Sequence, residues 1–438
     1  VKRSKIAALV LGAWCLIGFC AVRADNWPSW RGLHNNAVSK ETNLPTKFGI
    51  DTNLAWKLKM PGIGGSTPAV WGERMFLTSG DNGGKSLVVL CVTTAGELLW
   101  KEPMGGPSAP NKIVIKGDEG NEASPSPSTD GKNVFVFFGN GEMASFDFDG
   151  KKQWQFNVQD RYGKFNIYHG IHNSPLLYGD RLYLSLQHDN GHWVAALDKF
   201  TGKEIWKVER KTDAKGESKQ CYTSPCLWSD GKDSYLVVSG CDYATAHSLK
   251  DGSEIWRTSI LNPKDKYSTS FRIISSPVAT PDVIIIPTAR EAQVIAMKPS
   301  ARGELAAGSS FEQWRIRQGG SDVPTPVVHD GLVYLCAADK GILSCVEAKT
   351  GKLVYSERIH SDRYRASPVY ADGKIYLIAR GKAPKDDSRI SVVKAGPKFD
   401  LLEENRIPDE ITASPAISNG RLYVRGFKWL YAFEQSKK

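Results

Sequence analysis

The feature that most restricts this chain is a phrase it repeats. Residues 196–206 read ALDKFTGKEIW, and close variants follow or precede: SLKDGSEIW at 248–256, SFDFDGKKQW at 145–154, VTTAGELLW at 92–100 and VEAKTGKLVY at 346–355. Each belongs to a longer unit that opens with Ser/Thr-Pro and a short apolar stretch. SPLLYGDRLYLSL at 174–186 is the clearest opening, and SPSTDGKNVFVFF (126–138), TPVVHDGLVYLCA (325–337), SPVYADGKIYLIA (367–379), SPCLWSDGKDSYLVV (224–238) and SPAISNGRLYV (414–424) agree with it. STPAVWGERMFL (66–77) and SSPVATPDVIII (275–286) are looser, giving eight openings.

One unit reads as four strands. Asp-Gly or Gly-Asp makes the first hairpin turn, the second strand alternates aromatic and β-branched residues, and a third strand carries a small residue such as Ala144 or Ala196. A glycine turn needing positive φ then leads into the aromatic strand. No long segment shows 3.6-residue apolar periodicity, and 13 Trp, 41 Gly and 23 Pro favour short strands and tight turns. A four-stranded blade cannot cover both of its faces alone, so successive blades must stack. A large indole near the outer strand can wedge between neighbours, its burial worth roughly 2–3 kcal/mol. Trp100, Trp154, Trp206, Trp256 and Trp314 fill that position, with Tyr355 in the sixth copy; the seventh, ending near Leu401 and Leu402, has drifted most.

The eighth copy lacks a fourth strand. NLAWKLKM at 53–60, with Trp56, precedes the first opening and supplies one. The expectation is therefore an all-β, eight-bladed β-propeller of four-stranded antiparallel blades, residues 53–438, closed by an N-terminal strand that removes the open edges; a linear solenoid is the alternative.

The repeat, with its A-x-D-x-x-T-G-x-x-x-W core, resembles those of the pyrroloquinoline quinone (PQQ) propeller superfamily over residues 53–438. NWPSWRG at 26–32 is similar to the leader of exported PQQ-like propellers abundant in planctomycete-type bacteria. The resemblance implies the fold strongly and the function weakly, because the superfamily holds quinoprotein dehydrogenases, BamB-type outer-membrane assembly proteins and non-catalytic scaffolds. Its enzymes hold a quinone in the ring centre beside calcium bound by Glu, Asn and Asp, and methanol-type members add two adjacent cysteines. No Cys-Cys dipeptide occurs here, and the chain is shorter than a typical dehydrogenase of that type.

Residues 1–24 read as a signal peptide: Lys2, Arg3 and Lys5 precede an apolar run from Ile6 to Phe19, and Val22-Arg23-Ala24 offers a cleavage site. Residues 25–52 form an N-terminal extension. Export to the periplasm or the extracellular space follows; at Cys20 a lipobox would want a small residue where Phe19 stands. Removing the leader's four cations leaves 53 basic against 47 acidic residues, too mild a balance to argue for nucleic acid. Six cysteines remain (Cys91, Cys221, Cys226, Cys241, Cys336, Cys345), readable either as partly paired, Cys336 with Cys345 across a short turn, or as buried thiols.

Catalytic and metal-binding signatures are weak. Asp147 and Asp149 fall on a strand and its turn, His169 and His172 lack a third ligand, and His188 and His192 flank a turn. There is no phosphate loop or nucleophile elbow. The loops before the inner strands and after the second strands open on one face and carry cations: DRYGKFNIYHGIHN (160–173), ERKTDAKGESKQCYT (209–223), NPKDKYSTSFRI (262–273), SDRYRA (361–366), TAREA (288–292), ARGKAPK (379–385) and VRGFK (424–428). Arg272, Arg290, Arg365, Arg380 and Arg425, with His172, are thus the candidates for one channel mouth. One reading is a solvated rim whose arginines are saturated by carboxylates; the other is a concave site for a small anionic ligand or an acidic protein segment. The functional expectation is a monomeric, non-catalytic binding or assembly scaffold without a cofactor; the alternative is a PQQ- and calcium-dependent dehydrogenase with diverged ligands.

Overall fold

The structure, a computed structural model, describes residues 25–107, 114–115, 120–291, 293–317, 319–380 and 387–436. The proposed signal peptide, and the residues after Arg380 in its loop, lie outside them. Among the described residues the chain forms eight blade sheets in sequence order around a ring, with a small two-stranded ribbon, Val114–Ile115 and Gly120–Asn121, beside them. The first blade comprises Ala69–Trp71, Arg74–Asp81, Ser86–Thr93 and Leu98–Pro103, each strand antiparallel to the next. Six further blades repeat this order, and the eighth is built from Ala416–Ser418, Arg421–Arg425, Trp429–Glu434 and, as its outer strand, Leu54–Lys59. Trp56 pairs with Ala432 in that last sheet, so both ends of the propeller close the ring.

The register explains the small residue of the third strand. Each aromatic of the outer strand sits opposite a small side chain: Trp100 opposite Cys91, Trp154 opposite Ser145, Trp206 opposite Ala196, Trp256 opposite Ala246, Trp314 opposite Ala296 and Tyr355 opposite Cys345. The ladder slips by a β-bulge directly after each of these pairs. A bulge increases local twist and turns the indole toward the next blade. Cys345 therefore stands where other copies place alanine, serine or, in the first, Cys91, paired across the sheet with Tyr334, while Cys336 pairs with Leu343. All six described cysteines are buried free thiols, so the Cys336–Cys345 bridge is not formed.

Each indole ends on the glycine turn of the following blade. The ring of Trp56 lies against Gly96, Trp100 against Gly150, Trp154 against Gly202, Trp206 against Gly252 and Trp314 against Gly351. Its N–H donates to a carbonyl of the same turn, over 2.8–3.2 Å: Thr94, Phe148, Lys199, Leu249 and Ala348 respectively. Trp256 differs. A fifth strand, Gly303–Leu305, runs parallel to Glu254–Thr258 on the outer edge of the fourth blade and pairs with Trp256 at Gly303. The seventh blade likewise gains Arg363–Tyr364, paired with the far end of Lys374–Arg380.

Candidate functional site

The eight Ser/Thr-Pro openings line the central channel and are bonded to one another. The amide of Thr67 donates to the Ser126 hydroxyl, Ser126 to Ser174, Ser174 to Ser224 and Ser224 to Ser276, each at 2.9 Å. Ser276 continues to Thr325, Thr325 to Ser367 and Ser367 to Ser414, again at 2.9 Å. At the seam the Thr67 hydroxyl instead donates to the Ser414 carbonyl at 2.9 Å. The proline that follows has no N–H, so the Ser or Thr amide is the donor that each inner strand presents to the next blade. The sequence marked these positions as repeat openings but not as a ring, since each partner lies in another copy.

The N-terminal extension closes one mouth of the channel. Trp27 forms a two-way backbone bridge with Val70 of the first blade, and Pro28 accepts from Thr129 of the second. Further on, Ala37 and Ser39 bridge to Tyr370 of the seventh blade. Between these anchors, Trp30 donates its indole N–H to the Ser414 hydroxyl at 3.3 Å. Arg31 is 4% exposed and donates to the carbonyls of Thr325 (3.4 Å), Pro368 (3.3 Å) and Pro326. The NWPSWRG segment is thus a stopper laid across the ring.

What remains is a one-ended well of about 500 Å³, opening on the loop-rich face and walled by Arg272, Arg363, Arg365, His172, Asp322 and Asp339 above the hydroxyl ring and Trp30. Arg365 places two nitrogens 3.1 Å from Asp339 Oδ1, and Arg363 Nε is 3.2 Å from the same oxygen. One carboxylate is thus shared by two guanidinium groups, which brings both arginines to the same side of the well. Arg272 Nε lies 3.4 Å from Glu217, which also faces His169 at 3.5 Å. His172 directs Nε2 at the His169 carbonyl, and burial pushes its pKa down to about 4, so the ring is neutral at physiological pH.

Arg272, Arg365 and His172 therefore share the well. Arg290 stands in an adjoining hollow of about 620 Å³ that borders on Arg272 and His169; its amide donates to Asp322 at 2.6 Å. Arg380 pairs with Glu410 at 2.7 Å and is not part of the well's wall. Arg425 departs furthest from the sequence expectation. It is fully buried, donates to the Gly62 carbonyl at 2.8 Å, and is pushed down to about 9 by burial despite the nearby Asp409. It stands at the end of its strand, where Gly62 and Ser79 of the adjoining chain cover it. Sequence reasoning missed Arg363, Asp322, Asp339 and Tyr222 in the wall, and Trp30 and Arg31 beneath it. SDRYRA held two arginines one residue apart from each other, which was the available signal for Arg363.

A quinone cofactor can be weighed against these donors. Guanidinium and hydroxyl groups suit an anionic planar ring; among the described residues no three His, Cys, Asp or Glu side chains converge, while calcium also takes amide and backbone carbonyl oxygens. Asp339 is engaged by arginines and Asp322 by the Arg290 amide. The guanidinium groups of the wall suit the carboxylates of such a cofactor.

A ring of eight four-stranded blades with a stoppered channel defines a PQQ-type β-propeller. The chain belongs to the family described as outer membrane protein assembly factor BamB, whose model matches residues 49–183, 84–354 and 245–438. Solved structures share the fold at low identity. BamB from Moraxella catarrhalis is 12% identical with a TM-score of 0.59, over 87% of this chain and 97% of that one. A europium-containing methanol dehydrogenase is 12% identical with a TM-score of 0.66, over 94% and 98%. The quinohemoprotein alcohol dehydrogenase from Comamonas testosteroni is 14% identical with a TM-score of 0.64, over 94% and 81%. No curated protein sequence matches the chain. Among the described residues no helix is long and apolar enough to cross a membrane.

Proposed function

We propose that this protein is an exported, BamB-like binding scaffold that offers its loop-rich face to a partner and takes an anionic group into the one-ended well. The observation that carries the reading is the meeting of Arg272, Arg363 and Arg365 in a chamber stoppered behind by Trp30. Planar guanidinium groups grip carboxylate or phosphate in two-pronged fashion, and a ring of short strands holds them rigidly in place. The family description supports a role in outer-membrane protein assembly. The apolar segment 6–19 behind a basic start supports export.

Binding of polyglutamate and polyphosphate to the protein tests this reading. With Arg272 and Arg365 both replaced by Ala, affinity should fall at least tenfold, and binding should weaken steeply with salt. Unchanged affinity in the double variant disposes of the anionic well. Reconstitution with PQQ and calcium addresses the dehydrogenase alternative: a stable quinone absorbance together with dye reduction would replace the scaffold by an oxidoreductase.

A further inference from the structure

Six hydroxyls at the base of the well keep their O–H and one lone pair uncommitted. Ser126, Ser174, Ser224, Ser276, Thr325 and Ser367 each accept one amide N–H at 2.9 Å. All six are buried, and all border the well. None donates its own O–H to a protein acceptor among the described residues, so six protons are available to a group on the channel axis. A hydroxyl whose oxygen already accepts an N–H is polarised and donates more strongly.

Beneath this ring lies a buried cation that pairs with no carboxylate among the described residues. Arg31 bonds only to three carbonyls, and its Nε has no partner. Its nearest acidic groups are the thiols of Cys226 and Cys336, both held protonated by burial. A void of about 20 Å³, enough for roughly one water, is lined by Arg31 together with Ser126, Ser174, Ser224, Ser276 and Thr325. A buried guanidinium without a carboxylate costs several kcal/mol.

We propose that the floor of the well is an oxyanion site, in which a phosphate, sulfate or carboxylate group sits on the channel axis, accepts from the hydroxyl ring and is attracted by Arg31 below. It rests on the reading of the well as a ligand chamber and adds where in the chamber the charged end lies. Trp30 borders both the well and the void, so Arg31 acts through its field and the hydroxyls act by contact. The arginines at the mouth then address the remainder of the ligand. The leader is in this way part of the site as well as a stopper.

Inorganic phosphate is the probe, titrated calorimetrically into the full chain at ionic strength held constant with chloride. Saturable binding is expected, with affinity at least tenfold lower in Arg31→Met and largely kept in Arg31→Lys. Should Arg31→Met fail to fold, the Ser224→Ala/Ser276→Ala pair reads the same site from the hydroxyl side, and a selenate-soaked crystal should show anomalous density on the axis. Phosphate binding that falls with Arg365→Ala and not with Arg31→Met would overturn the floor site and leave the mouth reading standing. No saturable phosphate binding, alongside intact polyglutamate binding, would overturn it equally.

Discussion

The glycines Gly96, Gly150, Gly202, Gly252 and Gly351 of the aromatic-strand turns carry two burdens. Their φ is positive, +77° at Gly252, and a Cβ there would lie 2.6 Å from the ring of Trp206 in the preceding blade. Gly331 has a similar φ of +73° with nothing within 4 Å of its missing Cβ. The pair separates backbone strain from the indole contact. Gly331→Ala should cost about 1 kcal/mol through φ alone, and Gly252→Ala about 2–4 kcal/mol, because the ring must also be displaced. Urea unfolding of the two variants checks this, and equal losses would mean that the indole yields freely. Only the first burden was legible in the sequence. Trp206 lies 46 residues before Gly252 and meets it only after the blades have stacked. The same distance hid Arg31, whose role depends on residues some 300 positions away.

At the scale of strands, legibility followed repetition. The closing strand Leu54–Lys59 could be foreseen because the last copy lacked a fourth strand, and its pairing with Trp429–Glu434 is antiparallel. Gly303–Leu305 and Arg363–Tyr364 could not, since they come from loops that carry no repeat mark. The inner strands lie between these cases: their Ser/Thr-Pro start was conspicuous, its partner invisible. Ser or Thr serves equally in the ring because each presents one hydroxyl oxygen to the preceding amide. Ser276→Thr should therefore leave stability within about 0.5 kcal/mol. Ser276→Ala strands the buried Ser224 amide and should cost about 1–3 kcal/mol. Thermal unfolding of both decides it; an Ala variant as stable as the Thr variant would mean that water replaces the hydroxyl.

Across the whole molecule the strongest pH lever is a set of buried neutral histidines. His188, His247 and His360 are 0%, 2% and 8% exposed, and burial pushes each down to about 4. His247 is satisfied without a charge: Nδ1 donates to the Gly252 carbonyl at 3.0 Å and Nε2 accepts from Thr245 at 2.9 Å, with Arg210 and Arg257 further disfavouring a proton. The unfolded chain titrates near 6.5, so between pH 6.5 and 4 it binds protons that the fold refuses, and stability falls as the pH drops. For His247 alone the loss approaches roughly 3 kcal/mol by pH 4. Asp242 and Asp409 act the other way, because burial raises their pKa and the fold takes up their protons first. Four large depressions, that of His172 included, set against two carboxyls that are partly held down by hydrogen bonds leave the histidines dominant in that window. Urea unfolding at pH 7, 6 and 5 should show a steady loss, flattened in His247→Gln, which keeps a neutral amide in place of the ring. A wild-type stability independent of pH over that range would mean that these rings take up protons within the folded propeller.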